Sequence, residues 1–425
     1  MIIETGFETE MADLVAEEPK DFQFKSRPDW VVGFGGSISA GVTLKDGRVY
    51  FGCTDHHMYC VDAKTGKEAW RFRANDVNDT SRPFIHDGIV YCGFFDGYMY
   101  AVDERNGSLL WKFKTGDVIT GVASVCDNLV VFGSWDGYVY AADRKTGEEV
   151  WRFRTGDRVG ATPLVIGKEI YIGSMDGNLY CLNPKGEEVW RFRTGGSIYN
   201  YHPSPVKDGI VYFSCWDGHL YAVDTKSRQE AWRFKMGSGG ECTPLLYGDR
   251  LYFGSYDSNF YCIDLDGKEI WRFRAKDILG DFRPLVHEGV IYFGSIDTNF
   301  YALDVRTGKL LWSFKTGGDI WSSPVCYEGL VIFGSWDCYL YALECKTGKE
   351  AWRFPTSNKN MSLHIFRENY IWSGSVRNIP GKEDYGTYAK PETRLDLADD
   401  VYSPLGQYAK ADIVYGTGKK RYSDV

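Results

Sequence analysis

The chain has 425 residues and carries 49 Lys+Arg against 58 Asp+Glu, a net charge of −9 at pH 7. This acidic balance argues against non-specific binding to nucleic acid, which requires a basic surface. No run of about 18 apolar residues is present, so we expect no transmembrane helix and no membrane insertion.

The cysteines and the N-terminus indicate in which cellular compartment we expect the protein. There are 11 Cys, an odd number, with no CxxC pair, so a fully paired disulfide framework is excluded. The acidic first residues do not match the pattern of a signal peptide. We therefore expect a cytoplasmic protein. In chain order we predict an acidic extension over residues 1–27, a repeat domain over 28–375, and a tail rich in Tyr, Gly and Lys over 376–425.

One unit recurs eight times along the repeat domain. Its marker is a tryptophan whose first and third following residues are mostly basic, and the spacing from one marker to the next is 39–42 residues. A period of this length is typical of solenoids and propellers. We interpret the markers as structural tryptophans of the repeat: Trp70, Trp111, Trp151, Trp190, Trp232, Trp271, Trp312 and Trp352.

The third unit shows how each repeat folds. It contains, in order, a short segment at 120–125, an apolar strand at 129–132, an Asp136-Gly137 turn, a strand at 138–142, a second turn at 145–147 and an alternating strand at 150–154. Gly in such turns tolerates positive φ. Four short antiparallel strands form one propeller blade, so the fold class is an all-β, single β-propeller.

The blade count depends on the two ends of the repeat domain. Residues 31–36 resemble the end of an outer strand, and residues 362–371 align with residues 323–332 of the eighth unit. Pairing of these ends makes one split blade that closes the ring and protects its edges. We expect eight complete repeats plus this split repeat, hence nine blades, with eight blades as the alternative.

The outer strand of each unit alternates apolar and basic residues. Of the 16 positions one and three after the marker tryptophans, 14 are Lys or Arg. These charges protect an exposed sheet edge, or alternatively form a basic rim for an acidic partner. Asp also recurs once per unit in a turn, which favours a structural role over a single active site.

Several segments resemble a known family. VDAKTGKEAW (Val61–Trp70), LDVRTGKLLW (Leu303–Trp312) and LECKTGKEAW (Leu343–Trp352) resemble the tryptophan-docking motif of PQQ-like β-propeller repeats. FGSWDG (Phe132–Gly137) is similar as well. This family includes quinoprotein dehydrogenases and the propeller lipoprotein of the outer-membrane assembly machinery. The resemblance implies the propeller fold and leaves the function open.

A quinoprotein function implies PQQ with Ca²⁺ and a pair of adjacent cysteines over the cofactor. The sequence has no adjacent cysteines, and no residue matches the calcium ligands of those enzymes. The histidines show no metal-binding spacing. We therefore assign no catalytic residue and no metal site, and expect no cofactor; PQQ with Ca²⁺ belongs only to the alternative function below.

The loops that enter the first strand of each unit differ from one another and are polar. Such variable loops on a rigid scaffold often carry binding, and in a propeller they converge on the central opening. Arg82 and Arg283 both precede proline and are suited to hold an anion. The candidate residues of the opening are Asp79, Arg82, Tyr199, Asn200, His202, Glu241, Asp281, Arg283 and Trp321.

The tail abandons the repeat and has few aliphatic residues to build a core. Its tyrosines are candidate anchors for a partner: Tyr385, Tyr388, Tyr402, Tyr408, Tyr415 and Tyr422. We therefore expect a non-catalytic propeller that serves as a protein-interaction scaffold, with one or more protein partners. The alternative is a quinone-dependent oxidoreductase or a small-ligand-binding propeller that uses the central opening.

Overall fold

A computed structural model describes residues 31–34, 36–78, 80–280, 282–356 and 363–366. Every regular element within these residues is a β-strand. None of them belongs to a helix long and apolar enough to cross a membrane. The all-β fold class is therefore confirmed, whereas the predicted boundaries of the two terminal segments lie outside the described residues.

Thirty-two of the strands form eight four-stranded antiparallel sheets, here called blades 1 to 8. Their first strands are β2 (Thr43–Lys45), β6 (Phe84–His86), β10 (Ser124–Cys126), β14 (Leu164–Ile166), β18 (Val206–Lys207), β22 (Leu245–Tyr247), β26 (Leu285–His287) and β30 (Val325–Tyr327). The second strands are β3 (Arg48–Gly52), β7 (Ile89–Gly93), β11 (Leu129–Gly133), β15 (Glu169–Gly173), β19 (Ile210–Cys215), β23 (Arg250–Gly254), β27 (Val290–Gly294) and β31 (Leu330–Gly334). The third strands are β4 (His57–Asp62), β8 (Tyr98–Asp103), β12 (Tyr138–Asp143), β16 (Asn178–Leu182), β20 (His219–Asp224), β24 (Asn259–Asp264), β28 (Asn299–Asp304) and β32 (Tyr339–Glu344). The fourth strands are β5 (Glu68–Arg73), β9 (Leu109–Lys114), β13 (Glu149–Arg154), β17 (Glu188–Arg193), β21 (Gln229–Lys235), β25 (Glu269–Arg274), β29 (Leu310–Lys315) and β33 (Glu350–Pro355).

Burial follows the position of a strand within its blade. The second and third strands are almost entirely buried, because both of their faces pack against neighbouring blades. The fourth strands alternate between exposed and less exposed residues, as expected for a strand with one solvated face. First strands of neighbouring blades contact each other, as β10 and β14 do. The first strands therefore surround the central opening and the fourth strands form the outer rim.

The marker tryptophans join each blade to the next. The Trp111 indole Nε1 donates to the carbonyl oxygen of Arg144 in blade 3 at 3.0 Å, and its ring lies against Gly147 of the same turn. Trp70 makes the equivalent hydrogen bond to Glu104 in blade 2. Glycine is required in these turns because φ is positive there and because the indole leaves no room for a Cβ atom.

The ring closes with eight blades. The indole of Trp352 in blade 8 lies against Gly66 of blade 1. Ile38, which precedes blade 1, donates its backbone N–H to the Ser335 carbonyl oxygen of blade 8 at 3.1 Å. Val42 of blade 1 and Ile332 of blade 8 share one buried core. The expectation of nine blades is therefore wrong, and the alternative of eight is the one observed, because blades 8 and 1 contact each other directly and leave no gap for another blade.

The predicted pairing of the two ends of the repeat domain does exist. β1 (Val31–Phe34) pairs antiparallel with β34 (Leu363–Phe366). These two strands form a separate two-stranded sheet that shares no ladder with the eight blades. The terminal segments thus join each other without adding a blade to the ring.

The closure contact can be tested by adding one methyl group to Gly66. A Cβ atom there lies 2.7 Å from the Trp352 ring, at a φ of +67°. Gly88 in blade 2 has a φ of +76° with no atom within 4 Å of its Cβ position. We expect Gly88→Ala to lower the free energy of unfolding by about 1 kcal/mol through backbone strain alone. We expect Gly66→Ala to cost about 2–4 kcal/mol, because overpacking adds to that strain. Urea denaturation of both variants measures the difference, and equal losses would contradict the contact between blades 8 and 1.

Candidate functional site

Aromatic side chains from the loops that precede the first strands, and from the turns after the second strands, pack together into a buried aromatic wall. Tyr199 is buried, accepts a hydrogen bond from Trp135 Nε1 at 3.0 Å, and donates to Thr120 Oγ1 at 2.8 Å. Trp321 stacks on Trp336 with 5.8 Å between ring centroids. These residues belong to one apolar cluster whose buried members are Tyr199, Tyr201, Trp216, Tyr256, Ile278, Ile296 and Trp321.

A second group of side chains converges on Gly41, which precedes the first strand of blade 1. A Cβ atom at Gly41 would lie 3.0 Å from Ser323 Cβ, 3.1 Å from Arg82 Cδ and 3.3 Å from His202 Cε1. The imidazole Nε2 of His202 is 2.7 Å from Ser323 Oγ, which also accepts the backbone N–H of Arg283 at 2.8 Å. Residues from blades 1, 2, 5, 7 and 8 therefore meet at one place. We call Arg82, His202, Arg283 and Ser323 the arginine–histidine cluster.

The electrostatics of the arginine–histidine cluster are unusual for a protein interior. Burial lowers the pKa of Arg82 to about 10, and the nearby charge of Arg283 adds to this shift. Burial, together with the charges of both arginines, holds the pKa of His202 well below its usual range. His202 is therefore neutral at physiological pH, and the positive charge of the cluster resides on the two guanidinium groups.

The structure separates the predicted residues of the opening into groups. Arg82, His202 and Arg283 come together, and Tyr199 and Trp321 join the aromatic wall. Asn200 instead ties its loop to strand β19, since its Nδ2 donates to Ser214 Oγ at 2.8 Å. Glu241 is partly exposed and lies close enough to raise the pKa of Tyr199. Asp79, Asp281 and the six tail tyrosines (Tyr385, Tyr388, Tyr402, Tyr408, Tyr415 and Tyr422) lie outside the described residues.

Sequence reasoning missed part of this site. Gly41 and Ser323 were not singled out, because neither residue type signals a function by itself. Trp135, Trp216 and Trp336 were also missed, although each precedes the turn Asp of its blade. The signal in the sequence was the aromatic residue that recurs immediately before the turn Asp, at a position that otherwise varies between blades.

The repeated turn aspartates have structural contacts. In blade 3, Asp136 Oδ1 accepts the Tyr138 backbone N–H at 3.0 Å, and its Oδ2 accepts the Tyr140 hydroxyl at 2.7 Å. Its Oδ2 also accepts the N–H of Gly116 in blade 2. These contacts agree with the structural interpretation, since the Asp136 carboxylate is occupied in holding its hairpin and the neighbouring blade.

The donor set of the described residues does not fit PQQ with Ca²⁺. Those residues include no group of three or more His, Cys, Asp or Glu side chains that could hold a metal ion. The arginine–histidine cluster is cationic, and guanidinium groups repel a calcium ion. All eleven cysteines are free thiols, nine of them buried, as expected for cysteines that fill apolar space.

The eight-bladed fold, together with the similarity to known proteins, places this chain in the class of PQQ-like β-propellers. A family model described as outer membrane protein assembly factor BamB matches residues 26–137, 95–213, 135–266 and 216–422. The chain therefore belongs to this BamB family. No protein with a curated description is similar enough to the chain to count as a match.

Solved structures share the fold at low sequence identity. BamB from Moraxella catarrhalis is 19% identical, with a TM-score of 0.59, over 72% of this chain and 91% of that protein. The computationally designed Ika8 protein is 17% identical, with a TM-score of 0.61, over 72% of this chain and 95% of that one. A europium-containing methanol dehydrogenase is 16% identical, with a TM-score of 0.59, over 72% of this chain and 85% of the enzyme. At such identities these similarities establish the fold alone.

The buried His202 predicts how stability depends on pH. An unfolded imidazole titrates near pH 6.5, whereas His202 stays neutral in the folded chain. Below pH 6.5 the unfolded state therefore binds more protons, and the free energy of unfolding falls as the pH decreases. The contribution is up to about 1.4 kcal/mol per pH unit for one proton. Burial lowers the pKa of His56 as well, so it adds in the same direction.

Urea denaturation between pH 5 and 7 measures this slope. We expect His202→Gln to reduce it by up to one proton equivalent. His287→Gln, at a partly exposed position on the first strand of blade 7, is the matched control for the His-to-Gln replacement itself. An unchanged slope in His202→Gln would contradict the neutral, buried state of this residue.

Proposed function

We propose that this chain is a non-catalytic β-propeller that acts as a protein-interaction scaffold and holds its partner on the outer strands of blades 2 and 7. Membership in the BamB family supports protein partners in general. The choice of blades rests on one observation, namely that two of the eight outer strands depart from the edge protection that the others share.

Six outer strands carry the same ion pair. In each, a Glu two residues before the marker tryptophan contacts the Arg that follows it, with N–O distances of 2.6–3.0 Å. The pairs are Glu68–Arg71, Glu149–Arg152, Glu188–Arg191, Glu230–Arg233, Glu269–Arg272 and Glu350–Arg353. Within the described residues, each fourth strand has one edge that pairs with no other strand, and charged side chains protect such edges from other strands. The basic rim is thus largely neutralised by its own glutamates, which favours edge protection over an acidic partner.

Blades 2 and 7 lack this ion pair and expose leucines in its place. Leu109 and Leu110 of blade 2 are 47% and 48% exposed, and Leu310 and Leu311 of blade 7 are 49% and 52% exposed. Neighbouring large aliphatic side chains on an unpaired strand edge are costly in water and mark sites where another protein binds. Addition of a partner's strand to such an edge supplies backbone hydrogen bonds, and the leucines supply buried apolar area.

The neighbouring outer strands extend the apolar surface beside blades 2 and 7. The residue before the marker tryptophan is an exposed Val150 in blade 3, Val189 in blade 4 and Ile270 in blade 6. The same position is alanine in the other three blades, at residues 69, 231 and 351. The large aliphatic side chains therefore concentrate in two arcs, blades 2 to 4 and blades 6 to 7.

A quinone-dependent oxidoreductase has less support. Two of the similar structures are a methanol dehydrogenase and a quinohemoprotein alcohol dehydrogenase, but the described donor set does not fit a calcium-bound quinone. A small ligand in the central opening remains compatible with a scaffold, because the rim and the opening are separate surfaces.

The test restores edge protection by copying the pattern of the other blades. Leu109→Glu with Lys112→Arg gives blade 2 the Glu and Arg of blade 3, and Leu310→Glu with Ser313→Arg does the same for blade 7. Both double variants should fold, since six natural blades carry this pair. We expect native affinity purification to show at least a tenfold loss of the bound partner in one or both variants, as for loss of a binding hot spot. The control is Glu149→Gln with Arg152→Gln in blade 3, which should keep the partner.

The same purification separates the rim from the tail. The Tyr-rich tail is a second proposed docking segment, and a chain stopped after Arg394 removes Tyr402, Tyr408, Tyr415 and Tyr422. If the partner is lost from the shortened chain but kept by both double variants, docking occurs through the tail and the proposal for the rim is wrong. If a partner is lost from the double variants alone, the outer strands carry it.

A further inference from the structure

The arginine–histidine cluster plays no part in the proposed docking of a partner on the outer strands. Its residues come from four blades that are distant in the sequence. Arg82, His202 and Ser323 lie within 3.3 Å of the position of a Gly41 Cβ atom, and Arg283 donates its backbone N–H to Ser323 Oγ. Gly41 lies so close to Arg82, His202 and Ser323 that a methyl group there would force its neighbours to shift. The cluster is therefore packed tightly around the backbone of blade 1.

Both arginines carry buried groups without partners. Nε of Arg82 and Nε of Arg283 are buried and make no hydrogen bond. Each arginine retains part of its surface exposed at the opening. Among the described residues, no carboxylate forms an ion pair with either guanidinium. Two like charges brought together without a counter-charge are costly, so a bound anion that supplies the counter-charge stabilises the site.

His202 adds a third donor. Ser323 Oγ accepts the Arg283 N–H, and its own proton is free to be donated to His202 Nε2 at 2.7 Å. A neutral imidazole that accepts at Nε2 carries its proton on Nδ1. His202 Nδ1 is buried without a partner, so this tautomer presents an unused N–H group beside the guanidinium groups.

We propose that Arg82, Arg283 and His202 form a binding site for a small anion, a phosphate or carboxylate group, in the central opening. The planar guanidinium groups match the oxygen geometry of both anions. The N–H groups of the two arginines and of His202 supply donors, and the ligand supplies the counter-charge that the described residues lack. The aromatic wall of Trp321 and its neighbours borders the same opening and suits an anion attached to an apolar or aromatic body.

Carboxylates of the chain itself are the alternative to an external anion as the counter-charge of the two arginines. Asp281 is two residues from Arg283, and Asp79 is three residues from Arg82; both lie outside the described residues. If these carboxylates neutralise the arginines, removing an arginine destabilises the protein. If an external anion does so, removing an arginine relieves repulsion. The two cases therefore predict changes of opposite sign in the melting temperature of the same arginine variant.

The experiment measures the melting temperature of the full chain in Tris–chloride buffer with added potassium phosphate, potassium succinate or potassium chloride at matched ionic strength. We expect phosphate, succinate or both to raise the melting temperature by about 5 °C at a hundred times Kd. A rise with phosphate alone identifies a phosphoryl group, and a rise with succinate alone identifies a carboxylate. No rise above the chloride control with either anion would overturn the proposal.

Variants separate specific binding from a general salt effect. Arg82→Gln should melt at the same or a higher temperature than the natural chain in chloride, and should lose at least tenfold in anion affinity by calorimetry. The control Arg306→Gln removes an exposed arginine outside the opening and should keep the full response. A lower melting temperature of Arg82→Gln in chloride would show an internal carboxylate partner and contradict the proposal.

Discussion

The contact of a tryptophan with the glycine turn of the next blade is the interaction on which this structure depends. No blade buries both faces of its own second and third strands, so each requires a neighbour on either side. The indole supplies a large apolar surface and one directed hydrogen bond, as Trp111 does toward Arg144 and Gly147. The indole of Trp352 packs on Gly66 and closes the circle of blades, although its Nε1 makes no hydrogen bond among the described residues. Seven of the eight marker tryptophans pack on a glycine of the next blade's turn, so the number of blades is set where the last tryptophan meets the first glycine turn.

In a repeating scaffold, the positions at which one blade departs from the shared pattern are candidates for a functional role. Residues that hold the blades recur at equivalent positions, as the turn aspartates and the Glu–Arg pairs of the outer strands do. Function therefore resides where a blade departs from the pattern at a cost in stability. Two such departures stand out: the leucine pairs that replace an ion pair on blades 2 and 7, and the two arginines near His202, whose buried Nε atoms have no hydrogen-bond partner among the described residues. The first suits a protein surface and the second suits a small anion, and the rigid disc separates them.

The sequence predicts the blade well because the repeat period, the Asp-Gly turns and the alternation of the outer strand are local signals. It predicts the wrong number of blades because residues 362–371 continue the pattern of a first strand, while ring closure depends on a contact between Trp352 and Gly66 that no local pattern encodes. The opening was predicted in part. Arg82, His202 and Arg283 were identified from the variability of their loops, but Ser323 and Gly41 act only through their neighbours in space. The two leucine pairs were visible in the sequence, yet their meaning required the ion pairs that the other blades form.

Chemical crosslinking of the native complex, followed by mass spectrometry, tests most directly whether departures from the repeat mark the partner surface. Lys114, Lys235 and Lys315 occupy the same position, three residues after the marker tryptophan, on the outer strands of blades 2, 5 and 7. They therefore offer one lysine at the same strand position in each of the three blades, with Lys114 Nζ also donating to the Asp96 carbonyl oxygen. We expect crosslinks to the partner from Lys114 or Lys315 and few from Lys235. Crosslinks from Lys235 that equal or exceed those from both of the others would contradict this expectation.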